Sequence, residues 1–440
     1  MLSISHKIEL VPNNKQKTYF RKAFGCARLA YNWGLAEWQR RYNDGEKCSF
    51  IALNNAFNAI KGEQYPFVYE VTNRAPEFAL KNLTTAYHNF FNRLKGGKVS
   101  YPKFKRKKDH QGCFRFTKVK LSDINLNSKT FKRLKHNERM KRQYLKVPKL
   151  GYVKMTQRVR FNGKIKGVTI SQKGNKYFAS FSIMITQDEY RRTHPRLVCN
   201  KKQNIIGVDL GIKSALVLSD GISIESPKPL KNNLRKIKRL SRQLDKRTHA
   251  RTKQERLSGV KKSNNYRKLS LKLANAQRRV ENIRRDFTQK VTTILTTHYG
   301  QIVVEDLNVK GMVRNHRLAQ SISDVAFGEL LRQIEYKSAY NGVTVKKADR
   351  FYPSSKTCSV CGNVKHELKL KDRPYRCDKC GSVIDRDYNA SLNLLSLLSN
   401  TKIGMNMPEF TPVDLAALLL RFERNGITTS KIETGRQLRY

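Results

Sequence analysis

Four of the eight cysteines fall in two C-x2-C pairs, CSVCG and CDKCG. Cys358 and Cys361 make the first pair and Cys377 and Cys380 the second, with 15 residues between them. Glycine follows each second cysteine and permits the tight knuckle that turns two thiolates toward one ion. Two such knuckles predict one tetrahedral Zn²⁺ rather than a redox pair. Sulfur would fill all four positions, so the site is structural and not catalytic. The other cysteines, Cys26, Cys48, Cys113 and Cys199, are scattered, which fits a reduced compartment and no disulfide framework.

Three carboxylates occupy distinctive places. Asp209 interrupts the apolar run Ile205, Ile206, Val208, between Gly207 and Gly211. Glu305 ends the run QIVVE, and Asp387 lies where DRDYNASLN opens a helix. A carboxylate in a core strand is costly unless it is paired or holds a metal. Parallel or mixed strands of one sheet would bring Asp209 and Glu305 side by side, and a helix packed on that sheet would add Asp387. Such a trio suits two Mg²⁺ ions roughly 4 Å apart, the arrangement that phosphodiester hydrolysis needs. Asp306 is expected to point away, with Asp385 a candidate just behind the site. Singly, each acid also reads as a strand end or helix cap open to water.

The elements that must position these groups follow from periodicity. NIIGVDLGIKSALVLSDG, residues 204–221, reads as two strands and a turn, and SIESPKPL as a third strand. Residues 230–257 and a stripe from Leu269 to Leu295 read as a basic helical hairpin broken at Ser258-Gly259. A helix over 325–341 and a strand beginning at Val343 and Val345 come next. Earlier, a strand over 3–11 precedes a long helix with the stripe Phe20, Phe24, Ala27, Tyr31, Leu35, Trp38. A second helix is expected over 49–61, and a third bears Leu80, Leu83, Tyr87, Phe90 and Leu94 and stops at Gly96-Gly97. These aromatic stripes read as core rather than base-stacking platforms. YPKFKRKK, 101–108, reads as a phosphate-contacting loop. The short alternating runs over 112–186 suggest a small barrel, with the charged stretch 123–146 an insertion.

Charge sets the partner. Lys plus Arg is 89 against 34 Asp plus Glu, a formal net charge of +55. The polyanion that answers such an excess is nucleic acid. A hydrophobic fraction of 39% over 440 residues indicates a globular protein of roughly two to four domains rather than a basic tail. There is no run of 18 apolar residues and no secretory signal, so neither a membrane span nor export is expected.

In order, GVDLG, a basic hairpin, VVEDLNVKGM, YPSSKTCSVCG, CDKCG and DRDYNASLN resemble the TnpB family. These are RNA-guided nucleases of insertion sequences related to compact type V CRISPR effectors. FGCARLAYNWGLAEW, ALKNLTTAYHNFFNRLKGGKVSYPKFKRKK, PEFTPVD and ETGRQLRY extend the resemblance over nearly the whole chain, with 123–146 matching least. The resemblance implies a multidomain α/β fold: a RuvC-like, RNase H-type nuclease with an inserted zinc ribbon, a β-barrel wedge and a helical recognition domain. Its divisions are 1–14 (first wedge strand), 15–98 (recognition helices), 99–198 (wedge), 199–350 (nuclease), 351–383 (ribbon), 384–400 (third nuclease motif) and 401–440 (a disordered tail constrained as RNA). Asp209, Glu305 and Asp387 would hold two Mg²⁺, and Cys358, Cys361, Cys377 and Cys380 one Zn²⁺.

The implied partners are a guide RNA, double-stranded target DNA and its displaced strand, around a monomeric protein in a prokaryotic, nucleoid-associated particle. Cutting of both strands at one centre is the implied activity. The alternatives are a guided repressor that binds without cutting, a basic zinc-ribbon protein of RNA, and a DNA transposase. Retention of all three acids favours cutting.

Overall fold

The computed structural model describes residues 1–92, 99–107, 112–122, 143–194, 205–247, 263–368, 372–398 and 412–432. The chain divides into two compact units, Met1–Glu189 and Tyr190–Tyr440.

The first unit begins with strand β1 (Leu2–Val11) and helices α1 (Asn14–Asn43), α2 (Phe50–Gln64) and α3 (Arg74–Phe91). Asn13 and Gln16 form a reciprocal capping box that starts α1 directly after the strand. Phe20, Phe24, Ala27, Tyr31, Leu35 and Trp38 are all buried, so the three-four spacing does mark a core face. Gly34 lets α3 approach, since a Cβ there would lie 2.5 Å from Leu80 Cδ2. Trp38 stacks on Tyr87 at a centroid separation of 4.2 Å, adding dispersion to the burial of both rings. In the basic loop, Lys105 is tied down: its backbone N–H donates to Asn32 Oδ1 (2.8 Å), and its carbonyl accepts from Asn32 Nδ2 (3.0 Å).

Six further strands complete the sheet: β2 (Cys113–Phe116), β3 (Lys120–Ser122), β4 (Tyr144–Val147), β5 (Gly151–Met155), β6 (Lys164–Lys173) and β7 (Lys176–Ile185). The antiparallel order is β2-β6-β7-β1-β5-β4-β3. Tyr177, Ala179, Phe181, Ile183 and Ile185 alternate inward along β7, which pairs with β1 over nearly its full length. The expected barrel is an open sheet: among the described residues β2 and β3 do not pair to close it. The bulk of the 123–146 insertion lies outside the described residues, as do Gly96-Gly97.

A short helix, α4 (Gln187–Thr193), straddles the division. The second unit holds strands β8 (Ile205–Asp209), β9 (Ser214–Leu218), β10 (Ile222–Glu225), β11 (Gln301–Glu305) and β12 (Thr344–Ala348). Its helices are α5 (Pro229–Lys246), α6 (Asn264–His298), α7 (Val309–Arg314), α8 (Ala319–Val325) and α9 (Phe327–Asn341). The strands β13 (Pro374–Arg376) and β14 (Val383–Asp385) lead into α10 (Arg386–Ser396). The main sheet is ordered β12-β11-β8-β9-β10-β15, where β15 is Thr429–Lys431. β8, β9 and β10 run antiparallel in sequence, whereas β11 lies parallel to β8 and β12 parallel to β11.

Helices cover both faces. Ile206, Val208, Ile302 and Val304 meet Phe287, Val291, Leu295 and Ile334 of α6 and α9. Val217 and Val303, on the other face, meet Leu392 and Leu394 of α10. Double coverage explains why the strands read as continuous apolar runs rather than alternating ones. α5 and α6 form the expected hairpin through Leu240, Leu269 and Ala276; Ser258-Gly259 lies outside the described residues.

The expected disordered tail is corrected over 412–432. Helix α11 (Pro412–Arg424) leads to β15, which pairs antiparallel with β10. Leu418, Phe422 and Ile427 are buried in the unit's main core, and the exposed edge of β10 supplies the ladder. Their apolar area is what holds the segment. Residues 401–411 and 433–440 lie outside the described residues. No described helix is long and apolar enough to cross a membrane.

Candidate functional site

The four cysteines converge. Their sulfurs all lie within 4.8 Å of one another, with Cys358 and Cys380 at 3.7 Å and Cys361 and Cys377 at 3.5 Å. A tetrahedral ion with sulfur ligands at about 2.3 Å sets sulfur–sulfur edges near 3.8 Å. The two knuckles repeat one another. Gly362 N–H donates to Cys358 O (2.9 Å) and Gly381 N–H to Cys377 O (3.0 Å). Cys358 N–H donates to Asn363 O and Cys377 N–H to Ser382 O. Gly362 and Gly381 have φ of 74° and 69°, left-handed positions that need glycine. The donor set fits one soft or borderline metal ion held for structure.

Two asparagines seat this ribbon on α10. Asn389 Oδ1 accepts from Ser359 N–H (2.9 Å) and its Nδ2 donates to Thr357 O (2.7 Å). Asn393 Nδ2 donates to Ser354 O and Thr357 O. Asparagine is a poor helix former, so two of them four residues apart inside NASLN were a readable sign of a polar contact on one face.

The acids assemble differently. Asp209 is the last residue of β8 and Glu305 the last of β11, one step beyond the paired Val208 and Val304. By the two-residue period both side chains share the face of Gly207 and Val303, the face covered by α10. Gly207 is what lets α10 lie so close: a Cβ there would come 2.0 Å from Ser391 O and 2.7 Å from Leu395 N. Asp387 is in the first turn of that helix. Asp385 caps it, accepting from the N–H groups of Asp387 and Tyr388 at 3.0 Å each.

Asp209 is buried, and burial, then the charges of Glu305 and Asp387, push its carboxyl well above the ordinary carboxylate range. Asp387 is also raised, by burial first; Arg373, Arg386 and Lys213 act against that rise. Glu305 accepts a hydrogen bond from Ser354, and Asp387 from Arg373 Nη1 at 3.0 Å. Asp306 instead pairs with Arg350. Among the described residues the acids are not drawn together as tightly as the four cysteine sulfurs. Such a trio of oxygen donors fits hard divalent cations, which would favour the ionised forms of Asp209 and Asp387. Sequence reasoning missed Arg373 as the partner of Asp387 and Ser354 as the partner of Glu305.

Three families match the chain. Residues 189–316 match the family described as "Probable transposase", 327–394 the "Cas12f1-like, TNB domain", and 1–47 a "Helix-turn-helix domain". In this chain residues 2–43 form β1 and one unbroken helix, α1. A Streptomyces pristinaespiralis protein named as a putative RNA-guided DNA endonuclease is 29% identical over 89% of this chain and 88% of its own length. Escherichia coli InsQ, named the same way, is 28% identical over 89% and 91%. A solved Cas12f1–guide RNA–target DNA complex aligns with a TM-score of 0.47 and 15% identity, over 88% of this chain and 83% of the other. By these matches the chain resembles the OrfB and TnpB proteins and relatives named as RNA-guided DNA endonucleases.

Proposed function

We propose that this chain is an RNA-guided DNA endonuclease. It would read a short motif beside the target, open the duplex by guide pairing and cut both strands at one RuvC-like centre. The observation that carries this reading is the shared face: Asp209 and Glu305 end adjacent parallel strands, and Gly207 lets the helix bearing Asp387 lie over them. Three antiparallel strands followed by two parallel ones on the first strand's other side is the arrangement of an RNase H-type sheet, which supports the RuvC-like assignment.

Asp209, Glu305 and Asp387 would hold two Mg²⁺ ions, which when bound activate water and stabilise the leaving oxygen. Ser354 orients Glu305, and Arg373 neutralises Asp387 until it is displaced. Cys358, Cys361, Cys377 and Cys380 would hold Zn²⁺ in a ribbon, 351–383, that contacts the target. The nuclease would comprise 199–350 and 384–400. Residues 1–14 and 99–198 would form the wedge and 15–98 the recognition helices, gripping the guide. The charge of +55 suits a protein wrapped in RNA and DNA. Specificity would come from base pairing, with the protein reading only the flanking motif.

The test is to purify the protein from its host, sequence the bound RNA, and add a plasmid bearing the matching target with Mg²⁺. Linear plasmid is expected. Guided binding without linear product would instead favour a repressor, and strand joining a transposase.

A further inference from the structure

Beside Asp387 the second unit carries a groove of about 430 Å³, within the size range of ligand clefts. Lys213, Lys228, Lys231 and Arg373 line it, over an apolar floor that includes Ile212 and Leu318. Arg373 is the residue bonded to Asp387, and Lys213 also acts on that carboxylate, so two of the groove's cations adjoin one of the acids.

Three features hold positive charge in this groove without a counter-charge of its own. First, Lys228 and Lys231 stand at the N-terminus of α5, the positive end of the helix dipole, where cations are disfavoured. Second, Lys228 has φ 43° and ψ 49°, a left-handed conformation, although it is not glycine and precedes Pro229. Such a conformation is unfavourable for a residue with a side chain and persists where the surroundings enforce it. Third, the one acid on the lining, Asp324, is already committed. Its oxygens accept from the N–H groups of Leu230 (2.8 Å) and Lys231 (2.9 Å) and from Arg284 Nη2 (2.9 Å). Asp324 thereby fixes the start of α5 without answering the lysines. Among the described residues neither the Lys228 nor the Lys231 ammonium has an acid partner.

We infer that this groove seats the phosphates of the single DNA strand about to be cut, with Arg373 passing from the Asp387 carboxylate to a phosphate as the strand enters. This rests on the nuclease reading above. A strand is the occupant that fits, because the cations line a groove that adjoins Asp387 through Arg373, and its apolar lining accommodates sugar and base. Lys228 and Lys231 are positioning residues: they hold the backbone in place and leave the chemistry to the acids.

The experiment uses full-length, guide-loaded protein. In an Asp209→Ala background, target DNA carries 5-iododeoxyuridine at successive positions of the displaced strand, and photocrosslinks are mapped by mass spectrometry. Crosslinks within 227–231 or 372–376 are expected. With Asp209 restored, the Lys228→Gln/Lys231→Gln double variant is expected to cut about tenfold more slowly at saturating target, the scale of losing charge-assisted phosphate contacts. Strand opening by permanganate and the melting temperature should be unchanged, and the Lys228→Arg/Lys231→Arg variant should cut like the parent. Crosslinks confined to other segments, or parental cutting by the double glutamine variant, would overturn the inference. If the parent protein itself does not cut with guide and Mg²⁺, the nuclease reading has failed, and the crosslink map still decides whether a strand occupies the groove.

Discussion

The ribbon and the acidic face solve the same problem in opposite ways. All four thiols come from a single stretch of 23 residues, 358–380, and local turns alone bring them together. The three acids lie at 209, 305 and 387, and only the sheet's strand order and one glycine bring their segments onto a common face. The first site is therefore tight and self-contained, while the second is looser, with Asp387 already paired with Arg373 and Glu305 accepting from Ser354. A structural metal needs a cage that is complete, whereas a reacting centre must leave room for substrate.

Substitutions can sharpen or break that contrast. The largest effect is expected at the acids: Asp209→Ala should slow plasmid cutting by roughly a thousandfold or more, with guided DNA binding retained by gel shift. Cutting at the parental rate would remove Asp209 from the site. Next, Cys358→Ser should lower zinc, measured by elemental analysis, from about one ion per chain to none and expose the ribbon to proteolysis, while the core of the second unit still melts cooperatively. Loss of that core as well would show that the ribbon is not self-contained.

A Gly207→Ala change should unseat α10, costing about 3 kcal/mol in a denaturant titration, because the new methyl meets backbone atoms that cannot yield. Arg373→Gln should reduce the Mg²⁺ needed for half-maximal cutting by a few-fold, since a competing cation is removed from Asp387.

The smallest effect lies behind the acidic sheet. Lys337, buried between α6 and α9, donates to Gln289 O (2.8 Å), Thr292 Oγ1 (2.7 Å) and Thr293 Oγ1 (2.8 Å). Burial brings its ammonium down to about 7 from an ordinary 10.5. A lysine depressed in the folded state contributes stability at high pH, and that contribution is lost as pH falls from about 10.5 to about 7. Between pH 9 and 6.5 the parent Tm should therefore drop further than that of Lys337→Met. Parallel Tm curves would contradict a lysine whose titration is brought down by burial.

What was legible in the sequence follows the same division. The cysteine knuckles, the apolar runs of β8 and β11 and the stripe of α1 are local patterns, and each lies where its period put it. The pairing of Arg373 with Asp387 and the capping of α5 by Asp324, 94 residues from Leu230, depend on topology and leave no local mark. The tail was misread for a related reason. Its apolar stretch is short and isolated in sequence, yet Leu418 and Phe422 find a core built from segments far upstream, and β15 finds an open sheet edge. The first sheet was misjudged too, because alternating short strands have the same pattern in an open sheet and in a barrel.

The central claim is that three distant segments share metal. Fe²⁺ bound in place of Mg²⁺, with ascorbate and peroxide, cleaves the polypeptide only near the ion. The account predicts backbone cuts near Asp209, Glu305 and Asp387 together, suppressed by excess Mg²⁺ and lost in Asp209→Ala. Cuts at one of these segments without the others would contradict it.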